Sequence, residues 1–544
     1  MKKMTKLTAV ILCLVMLFTL IACGSNTQPP APPQDSGSPA EQPTPEERAD
    51  AGSVGGYEGD TIATKADPTT ITVAAFGDPA HMDPQNDGFM VQSFLVKNIF
   101  DTLLEVDPVT GQIVPGLATH WEWIDDTHLK MTLRQGVRFH NGDPFTSEDV
   151  LFTIRRFADS ANTATLYASF DGENSTANGD YEVTIAFKQP FPPAIAFLTR
   201  QIAAMLPSGV LSEDNDALRM NPVGTGAFSF VSWTQGSEMI LKRNDDWWGE
   251  PPFFENVRIL FNTDATARSI ATESGDADIG VALDSSVWRR IYDGLVPNMI
   301  AASVPCPQTG TFVFNYVNNE ALNDIRVRRA MAHAIDWPAA IEASAGELAF
   351  LGDSIFAPTI FSYEMQGYYE YDPELSRQLL AEAGFEDGLA LSAQTNMFHV
   401  AMSLMEIIQS YFSDVGITLS IANTDTPTWF EQRRAGGVDV SLTADAAQSY
   451  DPAEIMNQTT INGGFIVGAI QDPHYNELVN AALMETNPER RAELYAELQR
   501  YVFENVLSIP MYVVLTSYVY WDYLEGFVPD PVQGIDLRII SLKT

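Results

Sequence analysis

The chain has 544 residues, with 31 Lys and Arg against 71 Asp and Glu and a formal net charge of -40. At several times the ~150 residues of a typical domain, it predicts roughly three lobes around a substantial buried core. The excess of acid argues against nucleic acid as a partner and against direct adsorption to an anionic membrane surface.

Lys2, Lys3 and Lys6 precede an uncharged, mostly apolar run from Leu7 to Ala22. That run is shorter than the ~20 residues a spanning helix needs, so residues 1–22 read as a signal peptide. It ends in Leu20-Ile21-Ala22-Cys23-Gly24, which resembles a bacterial lipobox. The resemblance implies cleavage before Cys23 and acylation there, palmitate being one such chain. Two or three acyl chains hold a protein on a membrane stably where one does not, at ~0.8 kcal/mol for each buried methylene. Cys13 lies in the removed run and Cys306 stands alone in the body, so no intramolecular disulfide is expected. Residues 23–67, with PPAPP at Pro29 to Pro33 and GSVGG at Gly52 to Gly56, carry no apolar periodicity and read as a lipidated, disordered tether.

Thr70 to Ala75 reads as a strand. After Asp83-Pro84 and a polar loop through Asp87-Gly88, Val91 to Leu104 carries Val91, Phe94, Leu95, Ile99 and Leu103 at helical spacing. Leu129, Met131 and Leu133 alternate as a strand. Thr146 or Ser147 then caps a helix with Glu148 and Asp149 in its first turn. Tyr181 to Phe187 is predicted as strand and Ala194 to Leu206 as helix. Between Asn221 and Gly249, Pro222 and Gly224-Thr225-Gly226 lead into alternating Phe228, Phe230 and Ser232. Gly236-Ser237 turns the chain, and Trp247-Trp248 closes a hairpin. Strand Val257 to Asn262, helix Asp264 to Ser274 and strand Thr311 to Asn315 follow. Helices are predicted over Asp324 to Ile335, Asp372 to Gly384 and His399 to Phe412, the second with a cap, a first-turn proline and a terminal glycine. Further on come strand Ile417 to Ile421, a helix from Trp429, strand Val440 to Thr443, two helices over Asp472 to Met484 and Pro488 to Asn505, and strand Ser508 to Tyr520. Such alternation is the mark of α/β architecture.

The hairpin wording, PVGTG with SW and RNDDWWG, resembles a signature of family 5 extracellular solute-binding proteins, the peptide and nickel-chelate receptors of ABC importers. So do PGLA and LRQGVRFHNGDPFTSEDV within Glu105 to Arg156, and GFVPDP at Gly526 to Pro531. The resemblance spans roughly residues 70 to 540. It implies an α/β, two-lobed, periplasmic-binding-protein-like type II fold with an additional small α/β lobe. Lobe I would comprise 68–104, 205–308 and a return over 510–544; the small lobe 105–204; lobe II 309–509. It also implies a membrane-anchored extracytoplasmic receptor, monomeric and without cofactor, that captures a small solute, a peptide by default, for a permease. The same fold could instead take an oligosaccharide or a metal chelate. A secreted hydrolase is the reading from a different class. Against it, no G-x-S-x-G, H-E-x-x-H, P-loop or calcium-loop motif is present, and the seven histidines are scattered. No catalytic or metal-binding residues are expected, His140 in the turn FHNGDPF included.

Peptide receptors of this family read G-W-x-x-D-x-x-D/E-P in one loop, and the first aspartate pairs with the peptide's ammonium. Here the text is Thr443-Ala444-Asp445-Ala446-Ala447-Gln448-Ser449-Tyr450-Asp451-Pro452. Aligned on Asp451-Pro452, the resemblance puts Gln448 where that aspartate stands. A neutral amide lacks the charge that makes a buried ammonium tolerable, so little dependence on a free amine is expected unless Asp445 takes the role over. Gln448 and Asp445, together with Arg433, Asp87 and Gly88, are the ligand-binding candidates, and Cys23 is the lipidation site.

Overall fold

The computed structural model describes residues 52–57, 59, 62–85, 90–108, 110–158, 161–164, 166–214, 216–396, 399–459, 465–532 and 534–543. Cys23, Asp87 and Gly88 lie outside them. A mixed sheet of twelve strands among these residues is the backbone of the fold. Ten of the twelve run, from one edge, Ile417–Thr424, Leu389–Asn396, Val440–Ala446, Met299–Phe314, Ile509–Trp521, Ile279–Val281, Thr70–Ala75, Asn256–Phe261, Glu238–Arg243 and Phe228–Thr234, while Ser53–Gly56 pairs with Met299–Phe314 and Ala349–Leu351 with Ile509–Trp521 off this path. A separate antiparallel sheet orders Ala118–Asp125, His128–Leu133, Glu182–Phe187 and Phe170–Ala177.

Burial divides this frame into three large cores. One is built around Ile71, Val73, Ile99, Met239, Leu241 and Ile259, with Tyr518, Leu537 and Ile540 from the end of the chain. A second gathers Phe312, Phe314, Met331, Trp337, Met405, Tyr495 and Ile509. The third, around Leu129, Met131, Phe157, Phe170 and Phe197, packs the small sheet and also takes in Ala453. Among the described residues, strands Met299–Phe314 and Ile509–Trp521 run from the first core into the second, as antiparallel neighbours. Their pairing breaks midway. Pro305 faces Leu515 and Thr309 faces Val513, so residues 306–308 lie opposite one residue. Pro305 and Pro307 cannot donate to the ladder there, and a second register shift follows between Gly310, opposite Tyr512, and Thr311, opposite Pro510.

Local signals explain many elements. Thr146 and Asp149 form a capping box on Ser147–Arg156, and Asp372 caps Pro373–Glu382. Two stretches differ from expectation. The helix predicted over Val91 to Leu104 is Met90–Ile99, because the carbonyl of Ile99 is taken by the backbone N–H of Gly226 at 2.9 Å rather than by a further helical turn. Within the segment read as tether, Ser53–Gly56 is a strand paired with Ile300 to Ser303. Its glycines hide it from periodicity and permit the approach, since a Cβ on Gly55 would lie 2.6 Å from the Tyr292 carbonyl.

Candidate functional site

A cavity of about 340 Å³ lies where segments of the three cores meet. Its wall takes Lys97, Phe100, Asp101, Thr102 and Glu105 from the first helix and the segment just beyond it, and Thr199 to Gln201 from the small-sheet region. Thr359, Gln448 and Tyr450 come from the second core's side, and Pro529 to Val532 with Arg538 complete it.

Asp101 is placed by the hairpin signature. Gly224 and Gly226 lie so close to Ile99 that a Cβ on Gly226 would stand 2.5 Å from the Ile99 carbonyl carbon. That contact brings Thr225 Oγ1 and Trp248 Nε1 to Asp101 Oδ2, at 2.9 and 2.8 Å. The other oxygen, Oδ1, is buried and accepts no hydrogen bond. Burial, and then the charge of Glu105, push the Asp101 carboxyl up to about 6, against the opposing pull of Arg538 and its two donors. Arg538 is already engaged. It holds Glu105 through both Nη atoms at 3.0 and 2.7 Å and Asp536 through Nε and Nη2 at 2.8 and 2.7 Å. Burial alone would raise Asp536, yet Arg538 and Lys97 hold it at about 2. Lys97 donates to Asp530 Oδ2 at 3.1 Å and is held above its ordinary value because Asp530 and Asp536 outweigh its burial.

Arg200 forms the opposite wall. Its Nη2 pairs with Glu454 Oε1 at 2.8 Å and donates to Gln448 Oε1 at 3.4 Å, while Nε and Nη1 are buried without a hydrogen-bond partner. Glu454 is fixed by the Ser449 N–H and hydroxyl at 3.0 and 2.9 Å. The loop that carries Gln448 is set by the Ala447 N–H on the Pro307 carbonyl, by a left-handed Tyr450 (φ 59°), and by a two-pronged ion pair between Asp451 and Arg491.

Of the residues singled out by sequence, Gln448 lines the cavity. Asp445 stands in strand Val440–Ala446 opposite Thr309, three positions earlier. Arg433 does not line this cavity. It is fully buried, donates from Nε to the Val467 carbonyl at 3.2 Å, and lies 4.2 Å from the Phe465 ring centroid, tying down residues 465–467. His140 bonds the Gly226 carbonyl at 2.9 Å and steadies the hairpin. Among the described residues no cluster of three or more His, Cys, Asp or Glu is arranged to hold a metal ion. Sequence reasoning missed Asp101, Arg200 and Arg538. Their one signal was a charge beside apolar runs, at Ile99-Phe100-Asp101 and Leu198-Thr199-Arg200.

Comparison with known proteins agrees with this architecture. Residues 112–465 match the model of the bacterial extracellular solute-binding proteins, family 5 Middle. The chain is 23% identical to a dipeptide-binding protein of Escherichia coli (strain K12) over 523 residues, covering 89% of this chain and 96% of that one. In structure it is similar to the dipeptide-binding protein of Pseudoalteromonas sp. SM9913 in complex with Met-Leu, with a TM-score of 0.78, 22% identity and coverage of 87% and 100%. It is similar also to the binding protein AgaA of A. tumefaciens R10 in complex with agropinic acid, with a TM-score of 0.77, 21% identity and coverage of 87% and 99%. The fold is therefore the two-lobed type II binding-protein fold with an additional small α/β lobe, and the chain belongs to the bacterial extracellular solute-binding proteins, family 5.

Proposed function

We propose that this protein is the lipid-anchored, extracytoplasmic receptor of an ABC importer, which closes on a short peptide and hands it unaltered to the permease. The carrying observation is the cavity itself, walled by segments of all three cores, with Arg200 reaching Glu454 and Gln448 across it. Such contacts exist only when the cores are drawn together. A ligand that adds to them shifts the population toward the closed form by its differential affinity for it. The bulge at residues 306–308 is the hinge, lobe I and the small lobe moving as one side against lobe II. About 340 Å³ is near the lower end of the ~300–1,000 Å³ of ligand pockets, which suits a peptide of a few residues. Cys23 carries the acyl chains, and the residues after it give the body reach from the membrane. The dipeptide-binding relatives support a peptide ligand. A non-peptide solute is the second reading, favoured by Gln448 in place of a carboxylate and by the agropinic acid of AgaA.

Thermal denaturation against a peptide library tests this. A ligand at a hundredfold its Kd stabilises by about 2.7 kcal/mol. Peptides that raise Tm and are recovered intact are the expected result; turnover of peptides, or shifts from sugars or chelates alone, would overturn it.

A further inference from the structure

The two strands that cross from the first core to the second pair with each other along one edge, and other segments cover most of their outer edges. On Met299–Phe314 that outer edge is shared end to end. Ser53–Gly56 covers Ile300 to Ser303, and Val440–Ala446 covers Gln308 to Phe314, with the Ala447 N–H on the Pro307 carbonyl. On Ile509–Trp521, Ile279–Val281 covers Tyr518 to Tyr520, the Ala282 N–H donates to the Ser517 carbonyl, and Thr516 Oγ1 donates to the Pro531 carbonyl at 2.8 Å. From the second core's side, Ala349–Leu351 covers Tyr512 to Val514. Among the described residues, the stretch without such cover is Val304 to Cys306 on one strand and Leu515 on the other. The two gaps face each other, Pro305 lying opposite Leu515. The second register shift, between Gly310 and Thr311, has no such gap, because Val440–Ala446 runs past it with Ala444 opposite Gly310 and Thr443 opposite Thr311.

We propose that Ser53–Gly56 is a hinge brace: by covering the crossing strand up to Ser303 it stops the bend at Val304, so that the two lobes swing about one short axis. This rests on the clamp reading and specifies where the clamp bends. A strand paired on both edges moves with its sheet, whereas one with an open edge yields locally. Without the brace, residues 300–303 would keep one neighbour only, and the bend would spread back to Ile300.

The brace is seated on lobe I alone. Ser53 Oγ lies 3.2 Å from Ser303 Oγ, and the Tyr57 N–H donates to the Met299 carbonyl at 3.3 Å. Gly56 has to be glycine, since a Cβ there would stand 2.6 Å from the Met299 carbonyl oxygen. Further along, the Ala63 N–H reaches Asp522 Oδ1 at 3.0 Å and Lys65 Nζ reaches Asp278 Oδ1 at 2.5 Å, which fastens the same segment to lobe I. The chain from the proposed anchor at Cys23 therefore joins the body beside the bend. On the second crossing strand, Pro531 holds Thr516 at the same level.

Spin labels at Ser232→Cys and Thr418→Cys, exposed positions on the two edge strands of the large sheet, read the distance between lobes I and II in the ligand-free protein begun after Cys23. Gly55→Val forces the brace off Tyr292 without altering the crossing strands and is expected to broaden the distance distribution about twofold. Thr516→Val, which frees the other crossing strand from Pro531, is expected to broaden it as well. Lys65→Met removes an ion pair of lobe I away from the bend and is expected to lower the denaturation midpoint while leaving the width unchanged. Should Gly55→Val fail to fold, Gly55→Ala takes its place. A range of distances in wild type that the Gly55 variant leaves unaltered would overturn the brace and keep the hinge, as would equal broadening by Lys65→Met. One narrow distance in wild type and in every variant would overturn the hinge as well.

Discussion

Asp101→Asn isolates what a buried charge costs the fold. The carboxyl titrates near 6 rather than at its ordinary 3.8. At ~1.4 kcal/mol for each tenfold in the proton equilibrium, its ionisation at pH 7 costs the fold about 3 kcal/mol. Glu105 and Arg538 face it directly, and Asp536, Asp530 and Lys97 stand behind them. Because the folded-state value is raised, the fold holds this proton more tightly than the unfolded chain does. Its contribution is fully present below pH 3.8 and is lost as pH rises through about 6. Asparagine cannot ionise, yet its amide oxygen can still accept from Thr225 and Trp248. The ligand-free variant is expected to exceed wild type in stability at pH 7 by up to about 3 kcal/mol, with the gap closing toward pH 4. Urea denaturation at pH 4, 5, 6 and 7 measures this. A variant less stable than wild type at pH 7, or a gap that ignores pH, would refute the picture of a buried charge kept at a cost to the fold.

Arg491→Ala, which strands Asp451 in the core, is expected to lose about 3–5 kcal/mol in denaturation, and Arg491→Lys to recover little because it lacks the fork. A Cβ on Gly226 has no room against Ile99, so Gly226→Ala should destabilise in denaturation by at least about 1–3 kcal/mol; full retention of stability would remove the structural role assigned to this turn. Cys306 lies in the bulge between Pro305 and Thr309, with a buried thiol pushed up to about 12, chiefly by burial. In a form begun after Cys23 it is the single thiol, so its labelling by an aromatic disulfide should be slow and become slower still with saturating peptide.

Much of this fold is written in local chemistry. Thr146 with Asp149 and Asp372 with Pro373 are start signals that act within one helical turn, so the chain displays them directly. The hairpin from Phe228 to Arg243 is equally local. Its purpose was not legible, because Thr225 and Trp248 meet Asp101 across 124 and 147 residues. Periodicity carried the first helix on past Asp101, and only the Ile99–Gly226 contact ends it earlier. Gln448 could be found by its place in a loop, but its partner Arg200 is 248 residues away. The strand Ser53–Gly56 escaped notice because glycine-rich edges carry no pattern of apolar side chains.

Small-angle scattering from the ligand-free and the peptide-saturated protein, with the peptide weighed before and after, bears most directly on the idea of a clamp that closes without chemistry. The account predicts a smaller radius of gyration on saturation and a peptide of unchanged mass. An unchanged scattering profile with bound peptide, or a peptide returned in pieces, would contradict it.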